Sequence, residues 1–212
     1  MEKLYHFVAI SGSLRKGSYN TMVLKTAQKL APINVVIEHL CIDKVPMYNF
    51  DLHEQYFPDE VEKLNDAVKA ADAVIFITPE YNYSIPGVLK NVIDFFSRSP
   101  KKPFDKKPVG IMTASPGLLG GVRAQYHLRQ ILVAVNAYVM NQPEIMIGQV
   151  NTKFDEAGNL TDEKTKEFIN KFIITLAAFS EPIKQGVQKQ EVPVLNPSLL
   201  NNEENISRHI LT

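Results

Sequence analysis

The fold is decided by the stretch Ser11-Gly12-Ser13-Leu14-Arg15-Lys16-Gly17-Ser18-Tyr19-Asn20-Thr21. It directly follows the apolar run 5–10 and directly precedes a segment with helical periodicity over residues 22–31. This order predicts a strand that ends in a short loop and a helix that begins where the loop ends. Glycine lets a backbone approach an anion closely, and the first amides of a helix lie at the positive end of its dipole. The stretch therefore predicts a phosphate-binding loop.

Polar side chains in this stretch supply further donors for a phosphate. Arg15 would contribute a charged donor, and four hydroxyls would contribute neutral ones, from Ser11, Ser13, Ser18 and Thr21. The alternative is an ordinary tight turn, because glycine and serine are common between a strand and a helix whatever the function. The position, the hydroxyls and the arginine together favour the phosphate site.

Two familiar phosphate motifs do not occur in the sequence. Gly12 and Gly17 have the spacing of a Walker loop, but Ser18 stands where that motif has lysine. The Gly-x-Gly-x-x-Gly fingerprint of a dinucleotide site is not found at any position. ATP chemistry and a self-contained Rossmann NAD site are therefore disfavoured.

The composition is that of one sizeable globular domain without a strongly charged surface. The chain has 212 residues, 45% of them hydrophobic, and its formal net charge is zero. We therefore expect no nucleic-acid partner and no insertion into a membrane. Cys41 is the single cysteine, so an intramolecular disulfide is impossible, and the expected compartment is the cytoplasm.

Short β-branched runs alternate with longer amphipathic segments along most of the chain. They predict strands at residues 5–10, 34–40, 73–78, 108–114 and 138–147, the last interrupted around Asn141-Gln142-Pro143. Five βα units predict a doubly wound α/β fold, with a five-stranded parallel sheet in the order 2-1-3-4-5 and helices on both faces. The carboxyl ends of strands one and three then border a crevice, and the phosphate loop lies there.

Two helix starts have recognisable capping residues. Asp59 with Glu62 predicts a capping box, and Thr161-Asp162 predicts the cap of the last helix. The apolar residues of that helix are expected on one buried face: Phe168, Phe172, Ile173, Leu176 and Phe179. The composition changes after Pro182, so we divide the chain into a domain over residues 1–182 and a C-terminal extension over residues 183–212, either mobile or docked on a neighbouring subunit.

Two more loops are predicted at the same edge of the sheet. The third strand is followed by Thr78-Pro79-Glu80-Tyr81-Asn82-Tyr83-Ser84-Ile85-Pro86-Gly87, and the fourth by Ala114-Ser115-Pro116-Gly117-Leu118-Leu119-Gly120-Gly121. Tyrosines in one and glycines in the other can supply aromatic walls and backbone groups for a flat heteroaromatic ring. One phosphate loop and two ring loops describe an FMN site better than a nucleoside triphosphate site, which would want acidic magnesium ligands.

Three stretches in this order carry a resemblance to a known family: Gly12 to Asn20 as quoted above, Pro79-Glu80-Tyr81-Asn82-Tyr83-Ser84-Ile85-Pro86-Gly87-Val88-Leu89-Lys90-Asn91 and Gly120-Gly121-Val122-Arg123-Ala124-Gln125-Tyr126-His127-Leu128-Arg129-Gln130. They resemble the NAD(P)H-dependent FMN reductases of flavodoxin-like fold, in particular the quinone and chromate reductase branch. The resemblance implies FMN as cofactor, NADPH or NADH as electron donor, and ping-pong two-electron reduction of quinones or other small acceptors (flavins, azo compounds, chromate). Because the flavin carries the chemistry, no catalytic residue is expected, and no cluster has metal-ligand spacing.

The resemblance also implies roles for individual residues. The FMN phosphate and the nearby ribityl chain would be held by Ser11, Ser13, Arg15, Ser18, Asn20 and Thr21. The ring would be lined by Pro79, Glu80, Tyr81 and Asn82, and its other edge would be closed by Ser115, Gly117, Gly120 and Gly121. Members of this branch are homodimers or dimers of dimers, and a hydrogen-bonded network at the subunit boundary would contain Tyr83, Arg123 and Glu144.

Two other functions stay open from the sequence. A flavodoxin-like electron carrier or redox-sensing protein would bind FMN without a small substrate of its own. Such carriers usually have a strongly acidic face, and this chain is charge-balanced. A phosphosugar or nucleotide-binding module would bind no flavin at all. Uptake of FMN, and reduction of the bound FMN by NADPH, distinguish the three functions.

Overall fold

The computed structural model describes residues 3–51 and 57–189, and the segments 1–2, 52–56 and 190–212 lie outside the described residues. The strands are β1 (Tyr5–Ser11), β2 (Val35–Leu40), β3 (Ala73–Thr78), β4 (Pro108–Ala114), β5 (Tyr138–Val139) and β6 (Ile145–Ile147). The helices are α1 (Tyr19–Leu30), α2 (Asp59–Ala70), α3 (Gly87–Arg98), α4 (Val122–Ala134) and α5 (Glu163–Lys189). None of the helices described is long and apolar enough to cross a membrane.

All strand pairs in the sheet are parallel, and the order is β2-β1-β3-β4-β5, with β6 also paired to β4. The predicted α/β sheet in the order 2-1-3-4-5 is therefore confirmed. The fifth position is shared, because β5 pairs with the start of β4 and β6 pairs with its end. The predicted interruption around Asn141-Gln142-Pro143 is the break between these two short strands.

The register of the sheet aligns the carboxyl ends of its central strands. Ser11 at the end of β1 lies opposite Ile77, and Thr78 at the end of β3 lies opposite Thr113. Ala114 at the end of β4 lies opposite Ile147 of β6. The loops that follow these strands therefore begin side by side at one edge of the sheet, which we call the carboxyl edge.

Helices cover both faces of the sheet and form two core layers. One layer holds buried residues of α1 and α5, and the other holds buried residues of α2, α3 and α4. Every residue of β3 is buried, as expected for a central parallel strand. Gly110 of β4 allows α5 to pack closely, because a Cβ added there would lie 2.4 Å from Cζ of Phe172.

The two predicted helix caps have different outcomes. Asp162 caps α5, because its Oδ1 accepts a hydrogen bond from the amide of Thr165 at 3.0 Å. Hydrogen bonds from Lys153 and Thr165 lower the pKa of Asp162 to about 2. The capping box of Asp59 with Glu62 was wrong: α2 begins at Asp59 itself, and no side chain caps it. The acidic residues act there by lying in the first turn, near the positive end of the helix dipole.

Two features of α5 differ from the sequence prediction. Phe172, Ile173 and Leu176 are buried, but Phe168 is 47% exposed and borders an open groove of about 690 Å³ beside the outer edge of β6. The helix also continues through Pro182 to Lys189 without ending at the predicted boundary. The division into a domain and a C-terminal extension stays a prediction, because most of the extension lies outside the described residues.

Phe172→Ala is expected to lower the free energy of unfolding by about 3–5 kcal/mol, because it leaves a cavity between α5 and β4. Ile174→Ala on the same helix is the matched control, since Ile174 is 51% exposed, and it should change stability by less than about 0.5 kcal/mol. Urea unfolding followed by circular dichroism measures both. Equal losses in the two variants would contradict the placement of α5 on the sheet.

Candidate cofactor site

The phosphate loop, residues 11–18, lies directly against the end of β3. The amide of Gly12 donates a hydrogen bond to the carbonyl of Ile77 at 2.9 Å. A Cβ added at Gly12 would lie only 2.3 Å from Oγ1 of Thr78. Because of this close approach, the phosphate loop begins beside the loop that follows β3.

Hydroxyl groups surround the start of α1. Oγ of Ser11 lies 3.1 Å from Oγ1 of Thr21, and Oγ of Ser18 accepts a hydrogen bond from the amide of Thr21 at 3.3 Å. Ser11, Ser13 and Ser18 are buried. The first amides of a helix have no acceptor within the helix, and they lie at the positive end of its dipole. Amides and hydroxyls at this place suit an anion.

Arg15 is the charged donor of the phosphate loop. Its guanidinium lies 5.8 Å from the centre of the Tyr19 ring. Within the described part of the chain, the arginine ion pairs are those of Arg123 and Arg129, and Arg15 forms none. The charge of Arg15 is therefore not neutralised by a carboxylate of the described residues and is available to bind a phosphate.

Asn20 connects the start of α1 to the end of β4. Its Nδ2 donates a hydrogen bond to the carbonyl of Ala114 at 3.1 Å, and the residue is buried. Its Oδ1 is also buried and has no hydrogen-bond partner. A buried acceptor without a donor destabilises a structure by about 1–3 kcal/mol. A ligand that places a hydroxyl beside this atom would remove that penalty.

The tyrosine loop, residues 79–86, folds into a tight turn after β3. Tyr81 and Ser84 exchange two backbone hydrogen bonds, at 2.9 and 3.0 Å. Asn82 and Tyr83 have φ values of 50° and 65°, which are typical of a type I′ turn. The guanidinium of Arg123 lies 4.2 Å from the centre of the Tyr83 ring. The turn leaves both tyrosine rings at least half exposed, so they can contact a flat ligand.

The carboxylate of Glu80 binds the start of α4. Its Oε2 accepts hydrogen bonds from the amides of Arg123 and Ala124, at 3.0 and 3.3 Å. Its Oε1 accepts a hydrogen bond from Nη1 of Arg123 at 3.3 Å. Because both carboxylate oxygens are bound in this way, it is the main chain of Glu80 that is free to contact the ring of a ligand.

The glycine loop, residues 115–121, packs on the segment around the end of β6. The amide of Ser115 donates to the carbonyl of Ile147 at 3.0 Å. Gly120 and Gly121 have φ values of 62° and 88°, and a Cβ at Gly120 would lie 2.7 Å from the backbone of Gly148. Gly117 is less constrained, since its nearest neighbour would be Oγ of Ser115 at 3.5 Å. Glycine at 120 and 121 lets the loop turn tightly into α4.

The sequence that forms these three loops matches a known family. Residues 5–152 match the family described as NADPH-dependent FMN reductase. The chain belongs to this family. The predicted family is therefore confirmed, together with the enzyme class and the FMN cofactor that its description states.

Individual members of the family are similar over most of their length. An NAD(P)H-dependent FMN reductase of Pseudomonas aeruginosa is 49% identical over 162 residues, which are 76% of this chain and 88% of that protein. A quinone reductase of Escherichia coli is 44% identical over 187 residues, which are 87% of this chain and 100% of that protein. Among solved structures, the flavoenzyme NAD(P)H:(acceptor) oxidoreductase FerB of Paracoccus denitrificans has 36% identity and a TM-score of 0.77, covering 84% of this chain and 98% of FerB.

The groups at the carboxyl edge fit FMN. The start of α1 and Arg15 suit its phosphate, and the unpartnered Oδ1 of Asn20 suits a hydroxyl of its ribityl chain. Exposed tyrosine rings and glycine backbone suit its ring. The residues predicted for the three loops are therefore brought to one edge, while their individual contacts with FMN stay predictions.

Among the residues that the structure describes, no three His, Cys, Asp or Glu side chains are grouped for a metal ion.

The three residues predicted at a subunit boundary do not form one network within a single chain. Arg123 contacts Tyr83. Glu144 lies 3.7 Å from Nη2 of Arg129 and accepts a hydrogen bond from the hydroxyl of Tyr126 at 3.4 Å. Sequence reasoning missed Arg129 as the partner of Glu144. A network between subunits stays a prediction.

The sequence analysis also missed the residues that support two of the loops. A Cβ at Gly148 would lie 2.2 Å from the carbonyl oxygen of Leu118, so Gly148 lets the glycine loop lie against β6. Nδ1 of His127 lies 3.1 Å from Oγ of Ser84, which joins α4 to the tyrosine loop. The contact of Gly148 could have been found, because a glycine directly after a predicted strand is a local signal. The contact of His127 with Ser84 joins residues 43 positions apart and has no local signal.

Gly12→Ala is expected to weaken FMN binding by about tenfold or more, because the added Cβ collides with Thr78 and displaces the phosphate loop. Gly186→Ala on α5 is the control, since a Cβ there would meet no atom within 4 Å, and it should bind FMN within about twofold of the parent protein. Titration with FMN, followed by quenching of its fluorescence, measures both affinities. The assignment of the phosphate loop is wrong if the two variants bind FMN equally well.

Proposed function

We propose that this protein is an FMN-dependent NAD(P)H oxidoreductase that reduces quinones and other small acceptors. The observation that carries the proposal is that three loops meet at the carboxyl edge around a buried acceptor that has no donor. This acceptor is Oδ1 of Asn20, which lies between the start of α1 and the end of β4. Membership of the FMN reductase family supports the enzyme class. Relatives named quinone reductase support the class of acceptor.

The phosphate loop holds the anionic end of FMN in this proposal. Ser11, Ser13, Ser18 and Thr21 contribute hydroxyls near the first amides of α1, and Arg15 contributes the charge. Asn20 accepts a hydrogen bond from the ribityl chain through its Oδ1. These contacts bind and orient the cofactor without taking part in bond breaking.

The other two loops hold the ring. Bound FMN supplies the transfer of two electrons between a nicotinamide and an acceptor. Main-chain amides of residues 79–82 and 115–121 are the donors we assign to the polar edge of the ring, where negative charge increases on reduction. Pro79, Tyr81 and Asn82 line the ring on one side, and Ser115, Gly117, Gly120 and Gly121 close the other. No acidic or basic side chain is needed for the chemistry.

A flat donor and a flat acceptor use the same open face in turn. Tyr81 and Tyr83 leave their rings exposed beside that face and can contact each substrate. NADPH and NADH are both proposed as donors, and quinones are the proposed acceptors, with flavins, azo compounds and chromate as further ones. Since one site serves both substrates, the first product leaves before the second substrate binds, which is a ping-pong cycle.

A second copy of the chain is the proposed partner. Each loop at the carboxyl edge exposes large apolar side chains, and such a grouping is unusual on a surface that stays in water: Leu14, Tyr81, Tyr83, Leu118 and Leu119. We propose a homodimer or a dimer of dimers that covers part of this edge, with Tyr83, Arg123 and Glu144 at the boundary.

The cytoplasm is the proposed compartment, and the single, exposed thiol of Cys41 is compatible with it.

Steady-state kinetics with a quinone at several fixed NADPH concentrations are expected to give parallel double-reciprocal lines, because donor and acceptor share one site. Stopped-flow mixing with NADPH alone should bleach the bound FMN at a rate at least equal to turnover. Intersecting lines would contradict the shared site. A flavin that stays oxidised until another protein is added would indicate an electron carrier.

A further inference from the structure

Helix α4 begins at Val122 without a capping side chain of its own. The residue before it is Gly121, whose φ is 88° and whose Cβ, if present, would lie 2.9 Å from Cβ of Thr113. Glycine is therefore required at this position. Serine, threonine, aspartate or asparagine would normally accept a hydrogen bond there from the second or third amide of the helix. The start of α4 depends on an acceptor from another part of the fold.

Glu80 of the tyrosine loop supplies that acceptor. Its Oε2 binds the second and third amides of α4, which belong to Arg123 and Ala124. The side chain of Glu80 is 13% exposed, and its other oxygen pairs with the guanidinium of Arg123. One carboxylate thus lies at the positive end of the helix dipole and also forms an ion pair with an arginine.

Two further contacts join the tyrosine loop to the same face of α4. The guanidinium of Arg123 lies over the ring of Tyr83, and Nδ1 of His127 lies 3.1 Å from Oγ of Ser84. Residues 123 and 127 are four apart and therefore neighbours on one helix face. Since α4 starts directly after the glycine loop, these contacts join the tyrosine loop and the glycine loop into one unit.

We infer that Glu80 is a positioning residue that holds the tyrosine loop and the glycine loop together through the start of α4 and lowers the positive charge beside them. The inference rests on the proposed function, because these are the two loops that would hold the ring of FMN. Two effects follow from it. The connection raises the affinity for FMN, and the negative charge makes reduction of bound FMN less favourable, because the reduced ring is more negative than the oxidised one.

Two substitutions separate the two effects. Glu80→Ala removes both the acceptor and the charge, so the affinity for oxidised FMN should fall about tenfold. Glu80→Gln keeps an acceptor oxygen but removes the charge, so Arg123 and the start of α4 become more positive. The dissociation constant of reduced FMN should then fall about tenfold relative to that of oxidised FMN, which equals a rise of about 30 mV in a two-electron midpoint potential.

Asp162→Asn is the matched control. Asp162 also caps a helix with a carboxylate and also binds a cation, Lys153, but the hydrogen bonds described for that carboxylate go to Lys153 and Thr165 and to neither ring loop. Its replacement should lower the melting temperature as the Glu80 variants do. It should leave the affinity for FMN and the midpoint potential unchanged, because α5 does not join the two loops.

The experiment measures FMN affinity by titration, the midpoint potential by dye-coupled reduction, and the melting temperature of all four proteins. A higher potential in Glu80→Gln, with no change in Asp162→Asn, supports the inference even where Glu80→Ala fails to fold. A Glu80→Gln potential equal to that of the parent protein overturns it, and so does an equal shift in the Asp162→Asn control. A parent protein that binds no FMN overturns the proposed function as well, and this distinguishes the two failures.

Discussion

The arrangement of loops at the carboxyl edge depends on the parallel register of β1, β3 and β4. That register places Ser11 beside Ile77 and Thr78 beside Thr113, so the three loops begin at one edge. The contact that allows it is the approach of Gly12 to the side chain of Thr78, where a Cβ would lie at 2.3 Å. Any larger residue would separate the phosphate loop from β3, and the ring loops would lose their position relative to it.

The connections between the loops are polar and long-range. Asn20 joins the start of α1 to the end of β4, and Glu80 joins the tyrosine loop to α4. Each uses a side-chain group to satisfy main-chain atoms that regular structure leaves without partners at strand and helix ends. The carboxyl edge is therefore built by completing the hydrogen bonds of the sheet and helices. Of the polar side-chain atoms of Asn20 and Glu80, only Oδ1 of Asn20 is left without a partner and can bind a ligand.

The sheet order and the three loops were predictable from the sequence because their signals are local. Apolar runs such as 73–78, glycines in 12–17 and 117–121, and the interruption near Pro143 each lie within a few residues of the element they mark. The cap of α5 was also local, since Asp162 and Thr165 are three positions apart. The capping box at Asp59 failed because the same residue types also suit the first turn of a helix.

The contacts that hold the site together were not predictable in this way. Glu80 fits a ring-lining position by its place in the loop, but its carboxylate binds amides 43 and 44 positions later. Phe168 has the helical spacing of a core residue, and it is exposed because it lies beside the open edge of β6. Such features depend on which elements become neighbours, and periodicity within one helix or loop holds no information about that.

The proposed function requires the phosphate loop to anchor the phosphate of FMN and thereby to place the flavin over the carboxyl edge of the sheet. Comparison of FMN with riboflavin, which lacks the phosphate, tests it most directly in a calorimetric titration of the purified protein. Loss of one or two charge-assisted hydrogen bonds should weaken binding of riboflavin by about a hundredfold relative to FMN. Equal affinities for the two flavins, or no binding of either, would show that the phosphate loop does not anchor FMN.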